Sequence, residues 1–245
     1  MKRALRRGMI AAVDVLLPRQ CIVCGERLHT HEDNICLSCL ADFPLTRFWE
    51  QSRNIMADKL NALIQNEIQD GETEPYAFAA ALFLYSSEAD YRKIPYQIKY
   101  HGNIRAGRCF GSRLGKFLAG SESFRDVDMV IPVPLHWTRR WKRGYNQAEV
   151  IARAVAAGLP AVVRCDILRR TRRTKTQTKV DVEDKTKNVS GAFEAADPGL
   201  LPRHVLIIDD TFTTGATLFA CFKALRAVFP TSVRISVATL GYVGH

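Results

Sequence analysis

Short apolar runs alternate along this chain with segments whose apolar residues recur at helical spacing. Strands are predicted at 76–85, 127–133, within 161–168, at 205–208 and at 233–240. Helices are predicted at 48–68, 88–99, 104–118, 146–157 and 217–229. Because strands and helices alternate, the pattern predicts an α/β domain with a parallel sheet flanked by helices.

The apolar run 205–208 is followed by chemistry that suits a ligand. Asp209 and Asp210 come where the strand is predicted to end, and a small loop rich in threonine leads into the next helix. Open α/β sheets bind ligands at the carboxyl ends of their strands, and a helix N-terminus attracts an anion. The loop suits a phosphate, whereas two aspartates suit a diol or a metal ion. A sugar phosphate with free hydroxyls satisfies both.

Other phosphate sites fit this segment less well. The chain has neither a G-x-x-x-x-G-K-[ST] loop nor a strand-linked G-x-G-x-x-G loop. The aspartate pair is similar to the acidic clusters that hold Mg²⁺ in phosphoryl transfer, but no second acidic cluster accompanies it. A helix cap would need one Asp or Thr, and the segment 209–217 has two Asp, four Thr and a Gly.

Two Cys-x-x-Cys pairs near the N-terminus predict a structural zinc site. The four candidate ligands are Cys21, Cys24, Cys36 and Cys39. Four cysteine ligands leave no coordination position open for water, so a catalytic zinc is not expected. Two disulfides or free thiols are the alternative. His29 and His31 are weaker ligand candidates, and we expect Cys109, Cys165 and Cys221 to be core residues.

The net charge of +10 is concentrated between residues 136 and 187, which contain 14 basic and five acidic residues. Such a concentration favours a polyanionic partner, although a solvated surface is the alternative. Trp137, Trp141 and Tyr145 are interleaved with the basic residues, a composition that suits single-stranded nucleic acid. Ordinary packing at a helix start is the alternative for the two tryptophans.

Residues 1–17 begin with a basic head and continue with an apolar stretch, as a signal peptide does. Asp14 interrupts the apolar stretch and no small-residue cleavage site follows, so we predict an amphipathic helix and a cytoplasmic protein. No run is long enough to span a membrane. Three segments are predicted: a helix with a zinc ribbon at 1–45, a helical linker at 46–75 and the α/β domain at 76–245.

The segment 205–218 resembles the phosphoribosyl pyrophosphate (PRPP) binding motif of type I phosphoribosyltransferases. The rest of the chain is similar to the ComF family, which joins an N-terminal zinc ribbon to that fold. The other matching stretches are 17–18 before the first cysteine, 98–102, 131–135, 143–148 and 188–193. Thr211 is a departure, because an aliphatic residue is usual there, and we expect this position to face away from the ligand.

The resemblance implies roles for particular residues. Asp209 and Asp210 are the catalytic candidates and would bind the ribose hydroxyls of PRPP, which carries Mg²⁺. The 5′-phosphate would be held by Thr213, Thr214, Gly215, Ala216 and Thr217. Residues 169–180 correspond to a flexible loop that closes over the site. The candidates for pyrophosphate or nucleic acid are Arg139, Arg143, Arg169, Arg170, Arg172, Arg173 and Lys175.

The resemblance also implies a function. The ComF family is associated with DNA uptake in natural transformation and with single-stranded DNA in the cytoplasm. We therefore expect a PRPP-binding protein that handles single-stranded DNA together with DNA-uptake machinery. The alternatives are an active phosphoribosyltransferase of nucleotide metabolism and a PRPP sensor without transfer. With no hood expected after the last strand, an acceptor pocket would come from residues 41–75, the zinc ribbon or a partner chain.

Overall fold

Five parallel strands form the central sheet of the protein. The computed structural model describes residues 18–67, 73–86, 88–171 and 191–244. Its strands are β1 (Ala79–Tyr85), β2 (Met129–Pro132), β3 (Val162–Val163), β4 (Leu168–Arg170), β5 (Phe193–Ala195), β6 (His204–Phe212) and β7 (Arg234–Val243). The sheet has the order β1-β7-β6-β2-β3, and β4 and β5 form a separate antiparallel hairpin.

Seven helices surround the sheet in the described residues. They are α1 (Leu37–Ala41), α2 (Ile55–Gln65), α3 (Lys93–Tyr100), α4 (Ile104–Ala119), α5 (Trp137–Arg143), α6 (Gln147–Ala156) and α7 (Ala216–Arg226). Buried residues of α2, α7 and the hairpin form the core on one face of the sheet. Those of α3, α4 and α6 form the core on the other. The predicted class, an α/β domain with a parallel sheet flanked by helices, is confirmed.

Strand β6 is apolar at consecutive positions because both of its faces are buried. Val205 and Ile207 pack into the core beneath α7, while Leu206 and Ile208 pack into the core beneath α4 and α6. None of the four is exposed to solvent. The continuous apolar run therefore reflects a central strand with helices on both sides.

The side-chain alternation is interrupted at the same level in two neighbouring strands. In β6, Ile208 and Phe212 lie in opposite cores although they are four residues apart. In β7, Leu240 and Tyr242 lie in opposite cores although they are two residues apart. Residues at even spacing share a face in a regular strand, so both strands shift by one position here. In β6 the shift falls on residues 209–211.

Two features of the structure differ from the predicted elements. The helix predicted at 48–68 is divided into a 3₁₀ turn at Phe48–Glu50 and helix α2. The division occurs because Asn54 caps α2, accepting hydrogen bonds from the backbone N–H groups of Met56 and Ala57. The hairpin was not predicted, so Arg169 and Arg170 belong to strand β4 rather than to a loop.

Several predictions lie outside the described residues. They are the helix at 1–17 and the basic candidates Arg172, Arg173 and Lys175. The boundaries 1–45, 46–75 and 76–245 stay a prediction. Helix α2 lies within the segment predicted as a linker, and its residues Met56, Leu60 and Ile64 are buried in the core beneath the sheet.

Helices α4 and α6 approach each other through glycines. A Cβ at Gly111 would lie 2.9 Å from Cβ of Ala154, and one at Gly115 would lie 2.5 Å from the carbonyl oxygen of Val155. Both distances are shorter than a van der Waals contact. The close crossing fixes α6 against the sheet and therefore fixes the position of the chain that leads into it from α5.

Replacing Gly115 tests this crossing. We expect Gly115→Ala to lower the free energy of unfolding by about 1–3 kcal/mol, because the new methyl group must push α6 away. Urea unfolding measures the change. Gly120→Ala is the matched control, since its Cβ would meet only the carbonyl oxygen of Phe117 at 3.7 Å. Equal losses in the two variants would contradict the close crossing.

Candidate ligand site and metal centre

The two aspartates lie inside strand β6, not beyond its end. The strand predicted at 205–208 continues to Phe212, and Asp209 is paired with Thr239 of β7. Asp210 is 3% exposed and Asp209 is half-buried. Two adjacent carboxylates are thus removed from water, which disfavours their charged forms unless other groups compensate.

Lys99 on helix α3 compensates one of the carboxylates. Its Nζ lies 3.0 Å from Oδ1 of Asp210 and 2.8 Å from Oγ1 of Thr211. Burial disfavours the ammonium charge, but the negative charges of Asp210 and Asp209 outweigh that effect and raise the pKa of Lys99. Lys99 is therefore charged at physiological pH and forms a largely buried ion pair with Asp210.

Thr211 lies inside this cluster. The sequence predicts that it faces away from the ligand, yet its hydroxyl accepts a hydrogen bond from Lys99 and donates one to Oδ1 of Asp210 at 2.8 Å. The one-position shift in β6 explains this arrangement, because it brings two consecutive side chains to the side of α3. The other carboxylate oxygen of Asp210, Oδ2, is buried and has no hydrogen-bond partner in the part of the chain that is described.

Asp209 has a different environment. Its Oδ1 accepts a hydrogen bond of 2.8 Å from the backbone N–H of Asp210. Burial, followed by the charge of Asp210, raises the pKa of Asp209 to about 7, and the opposing effect of Lys99 is smaller. The two aspartates are therefore not equivalent. Lys99 holds Asp210 in place, whereas Asp209 is a carboxylate that a diol or a cation would stabilise.

The threonine-rich loop leads directly into the N-terminus of α7. Gly215 caps the helix with a φ of 82°, and a Cβ there would lie 2.8 Å from Cζ of Phe212. Glycine is required on both counts. Thr213 is exposed and Thr214 is half-buried. Backbone N–H groups in the first turn of a helix have no partners within the helix, so this loop provides donors for an anion beside Asp209.

The predicted basic residues separate into two groups. Burial lowers the pKa of the Arg170 guanidinium, Arg139 lowers it further, and the charge of Asp209 acts in the opposite direction. Arg170 therefore lies in the electrostatic neighbourhood of Asp209 and also of Arg139. Arg143 instead lies over the ring of Tyr100 at 5.5 Å, and the exposed Arg169 acts on Asp166.

Two parts of the site were not assigned from the sequence. Lys99 belongs to the stretch 98–102 that the ComF resemblance includes, but nothing in its spacing pairs it with a residue 111 positions away. Tyr145 was considered only as a nucleic-acid contact. Its hydroxyl donates a hydrogen bond to the carbonyl oxygen of Ile98, and so it holds the end of α3 beside the site.

The four predicted zinc ligands come together. The Sγ atoms of Cys21, Cys24, Cys36 and Cys39 all lie within 4.8 Å of one another, and those of Cys24 and Cys36 are 3.7 Å apart. Tetrahedral zinc with Zn–S bonds of 2.3 Å separates its sulfurs by about 3.8 Å, so the donor set fits this metal. Among the described residues, the cluster contains these cysteines alone.

The histidines between the cysteine pairs do not join the cluster. The rings of His29 and His31 stack on each other at 5.8 Å. Of the three remaining cysteines, all predicted to be core residues, Cys221 is buried and Cys109 is half-buried. The prediction is wrong for Cys165, which is exposed because it lies in the connection between β3 and β4.

The cysteine module is attached to the element that carries Lys99. The hydroxyl of Tyr91 donates to the carbonyl oxygen of Cys39 at 2.8 Å, and Nζ of Lys93 donates to that of Val23 at 2.8 Å. Phe43 packs against Phe83, Tyr91 and Phe110. The start of α3 is thus anchored to the metal-binding loops, while its end reaches the aspartates.

Comparison with known proteins identifies relatives of this chain. The chain is 37% identical over 101 residues to Competence protein F of Haemophilus influenzae, covering 40% of this chain and 44% of that protein. It is 33% identical over 91 residues to DNA utilization protein YhgH of Escherichia coli K12, covering 37% and 40%. Competence protein ComFC of Streptococcus pneumoniae is 24% identical over 218 residues, covering 84% and 93%. The chain is therefore similar to competence proteins of the ComF type.

The alignments with the first two relatives span about 40% of their length. No family model matches the chain.

In the described part of the chain, every helix is too short or too polar to cross a membrane.

The environment of Asp209 predicts a pH-dependent stability. A carboxyl group whose pKa is higher in the folded than in the unfolded state contributes stability at low pH and loses it as the pH rises through the folded pKa. We expect Asp209→Asn to raise the free energy of unfolding at pH 8 by about 1 kcal/mol or more, and to change it less at pH 5. Urea unfolding at both pH values measures this. The exposed Asp197→Asn should show no such difference, and an equal effect of Asp209→Asn at both pH values would contradict the buried charge.

The cysteine cluster predicts one zinc ion per chain, which elemental analysis of the purified protein measures. Cys36→Ser should lose the metal and lower the melting temperature, because zinc binding stabilises so small a module directly. Cys165→Ser is the control, since the exposed Cys165 lies outside the cluster and should retain both metal and stability. A full zinc content in Cys36→Ser would contradict the four-cysteine site.

Proposed function

We propose that this ComF-like protein binds PRPP at the end of β6 and acts in the uptake or use of DNA. The observation that carries the proposal is the pairing of two unlike ligand-binding features at one point. The buried carboxylates of Asp209 and Asp210 adjoin the loop 213–217, which leads into the N-terminus of α7. One feature suits a diol or a cation and the other suits a phosphate.

The charges favour a sugar phosphate over a simple phosphate. Two aspartates and Lys99 leave one negative charge uncompensated within the cluster, and Asp209 would repel an anion placed directly on it. A ribose ring separates the phosphate from the carboxylates, so its hydroxyls can donate to Asp209 while its phosphate meets the helix N-terminus. The buried Oδ2 of Asp210 retains capacity to accept a further hydrogen bond or bind a cation.

The pyrophosphate part of PRPP requires cations as well. Mg²⁺ bound to PRPP would supply part of this charge, and the protein would supply Arg170, which acts on Asp209, and Arg139, which acts on Arg170. In a phosphoribosyl transfer these residues would orient the substrate and screen the departing pyrophosphate. The further candidates Arg172, Arg173 and Lys175 lie outside the described residues.

The proposed role in DNA metabolism rests on the relatives. Their names describe a competence protein and a DNA utilization protein. A positively charged protein suits contact with DNA, with DNA-uptake machinery or with both, and we propose that it acts in the cytoplasm. More specifically, we propose that the DNA it handles is single-stranded.

Whether PRPP is consumed separates three versions of the proposal. The protein would be a transferase with an acceptor still to be identified, a binder that couples PRPP to DNA handling, or a PRPP sensor. We favour the transferase, because the aspartates and the basic residues would place charge on both sides of a bound sugar. The segment 41–75, the zinc module or a partner chain would provide the acceptor contacts.

PRPP binding is tested by thermal unfolding with PRPP and Mg²⁺. We expect the ligand to raise the melting temperature, since it binds the folded state alone. Asp209→Asn combined with Asp210→Asn should abolish the rise, because both acceptors for the ribose are weakened. The control variant is Glu122→Gln combined with Glu194→Gln, which removes the same amount of negative charge from exposed positions. It should retain the rise in melting temperature with PRPP.

Two outcomes would contradict the proposal. An unchanged ligand effect in the double aspartate variant would place the site elsewhere, and no effect in the unmodified protein would exclude PRPP as the ligand. The release of pyrophosphate from PRPP is then measured in the presence of each candidate acceptor. The result distinguishes the three versions of the proposal. Release that depends on Asp209 and on one acceptor supports a transferase, whereas binding without release supports a binder or sensor.

A further inference from the structure

Helix α5 presents two tryptophans to solvent. Trp137 is 72% exposed and Trp141 is 88% exposed, and they are four residues apart, which places them on one side of the helix. The ordinary packing considered for them from sequence would bury these rings. Exposing two large aromatic rings to water is unfavourable for the free protein and points to a partner.

Helix α3 presents a second pair with the same spacing. Tyr96 is 54% exposed and Tyr100 is 62% exposed, and their ring centroids are 4.9 Å apart. The ring of His101 continues the series, 5.3 Å from that of Tyr96. Lys99 lies on the same helix but its side chain turns toward Asp210, so the tyrosines occupy the outer side of α3.

The two pairs belong to one surface because the ends of their helices meet. The guanidinium of Arg143, the last residue of α5, lies over the ring of Tyr100 at 5.5 Å. Tyr145 follows two residues later and donates its hydroxyl hydrogen to the carbonyl oxygen of Ile98 in α3. We call Tyr96, Tyr100, Trp137 and Trp141 the aromatic surface.

Positive charge accompanies the aromatic surface. The sequence of α5 is WTRRWKR, with four basic residues and no acidic one. Arg140 is exposed, and Arg143 is already stacked on an aromatic ring. Flat rings with cations between them match a chain of bases joined by phosphates, because bases stack on the rings and phosphates pair with the arginines.

The composition of the surface disfavours other partners. Helix α5 contains no leucine, isoleucine or valine, and the aliphatic residues of α3, Ile94 and Ile98, are fully buried. The exposed rings of these two helices are accompanied by cations and by no exposed aliphatic side chain, and this combination favours stacked bases joined by phosphates over a protein or a lipid bilayer.

We propose that the aromatic surface binds single-stranded nucleic acid. The inference rests on the proposed role in handling single-stranded DNA and names the surface that would carry it out. The rings stack with successive bases, and Arg140 together with Arg143 contacts the phosphates. The strand would lie along α3, the helix whose Lys99 forms the ion pair with Asp210.

The test uses the full chain and a fluorescently labelled 20-nucleotide oligothymidine, which forms no duplex. Fluorescence anisotropy measures affinity, and intrinsic tryptophan fluorescence reports stacking. The chain has three tryptophans, and the third, Trp49, is buried against Phe117 with centroids 4.3 Å apart. Quenching by DNA therefore comes from Trp137 and Trp141.

Aromatic substitutions should separate stacking from charge. We expect Trp137→Ala with Trp141→Ala to weaken binding about tenfold or more, since each stacked base is sensitive to loss of its ring. Trp137→Phe with Trp141→Phe should retain affinity within a few-fold and abolish the quenching. Tyr96→Ala with Tyr100→Ala should weaken binding as well. Leu200→Ala with Leu201→Ala, at exposed positions far along the chain, should have no effect.

A charge substitution tests the phosphate contact. Binding should weaken as salt increases, and Arg140→Ala should reduce the slope of log affinity against log salt by about 0.7, the value for one phosphate contact of a single strand. Arg125→Ala removes the same charge from the exposed turn before β2 and should leave the slope unchanged. Equal slopes in the Arg140 variant and the unmodified protein would contradict the contact.

The outcomes distinguish the surface from the function. If the unmodified protein binds oligothymidine but the aromatic variants bind equally well, the surface is wrong and the role in DNA handling stands. If the unmodified protein does not bind, both fail. The melting-temperature shift with PRPP should be the same in the unmodified protein and the tryptophan variants, so the ligand site is tested separately.

Discussion

Two adjacent carboxylates within a buried strand are the constraint on which the rest of the structure depends. Asp209 and Asp210 lose hydration and repel each other, and no apolar packing can offset that cost. Lys99 neutralises one of them at 3.0 Å. The lysine must approach from above the sheet, so α3 must be held with its C-terminal end over β6. Tyr145 holds that end, and the cysteine module holds the other through Tyr91 and Lys93. The cysteine cluster thus supports the position of Lys99 beside the aspartates.

Because of the one-position shift in β6 and β7, Asp209 and Asp210 lie in two different environments. A regular strand would direct Asp209 and Thr211 to one face and Asp210 to the other. The shift instead brings Asp210 and Thr211 together beneath Lys99, while Asp209 stays on the side of α7 near Cys221 and Arg170. One carboxylate becomes a fixed part of the protein, and the other remains the group whose charge a ligand would stabilise. The fixed carboxylate still has one buried oxygen, Oδ2 of Asp210, without a hydrogen-bond partner among the described residues.

The sequence predicts those parts of the structure that are determined by residues close together in the chain. Four consecutive apolar residues before Asp209 predict a central strand, and paired cysteines predict a metal cluster, because both patterns are local. The position of Lys99 depends on how α3 packs, and the orientation of Thr211 depends on a shift shared by two strands. The hairpin of β4 and β5 joins segments separated by 22 residues, so Arg170 appears in sequence to be part of a basic loop. Such features depend on tertiary packing, which cannot be predicted from the spacing of residues in the sequence.

The basic residues of the described range 136–171 differ in their surroundings. Arg170 acts on Asp209 and is itself acted on by the charge of Arg139, whereas Arg140 is exposed on α5 and Arg143 lies over the ring of Tyr100. Under the two proposals, these residues contact a compact anion at the strand end and an extended one on the aromatic rings. Since α3 belongs to both sites, any movement of this helix that strengthens the Lys99–Asp210 pair must also reposition Tyr96 and Tyr100.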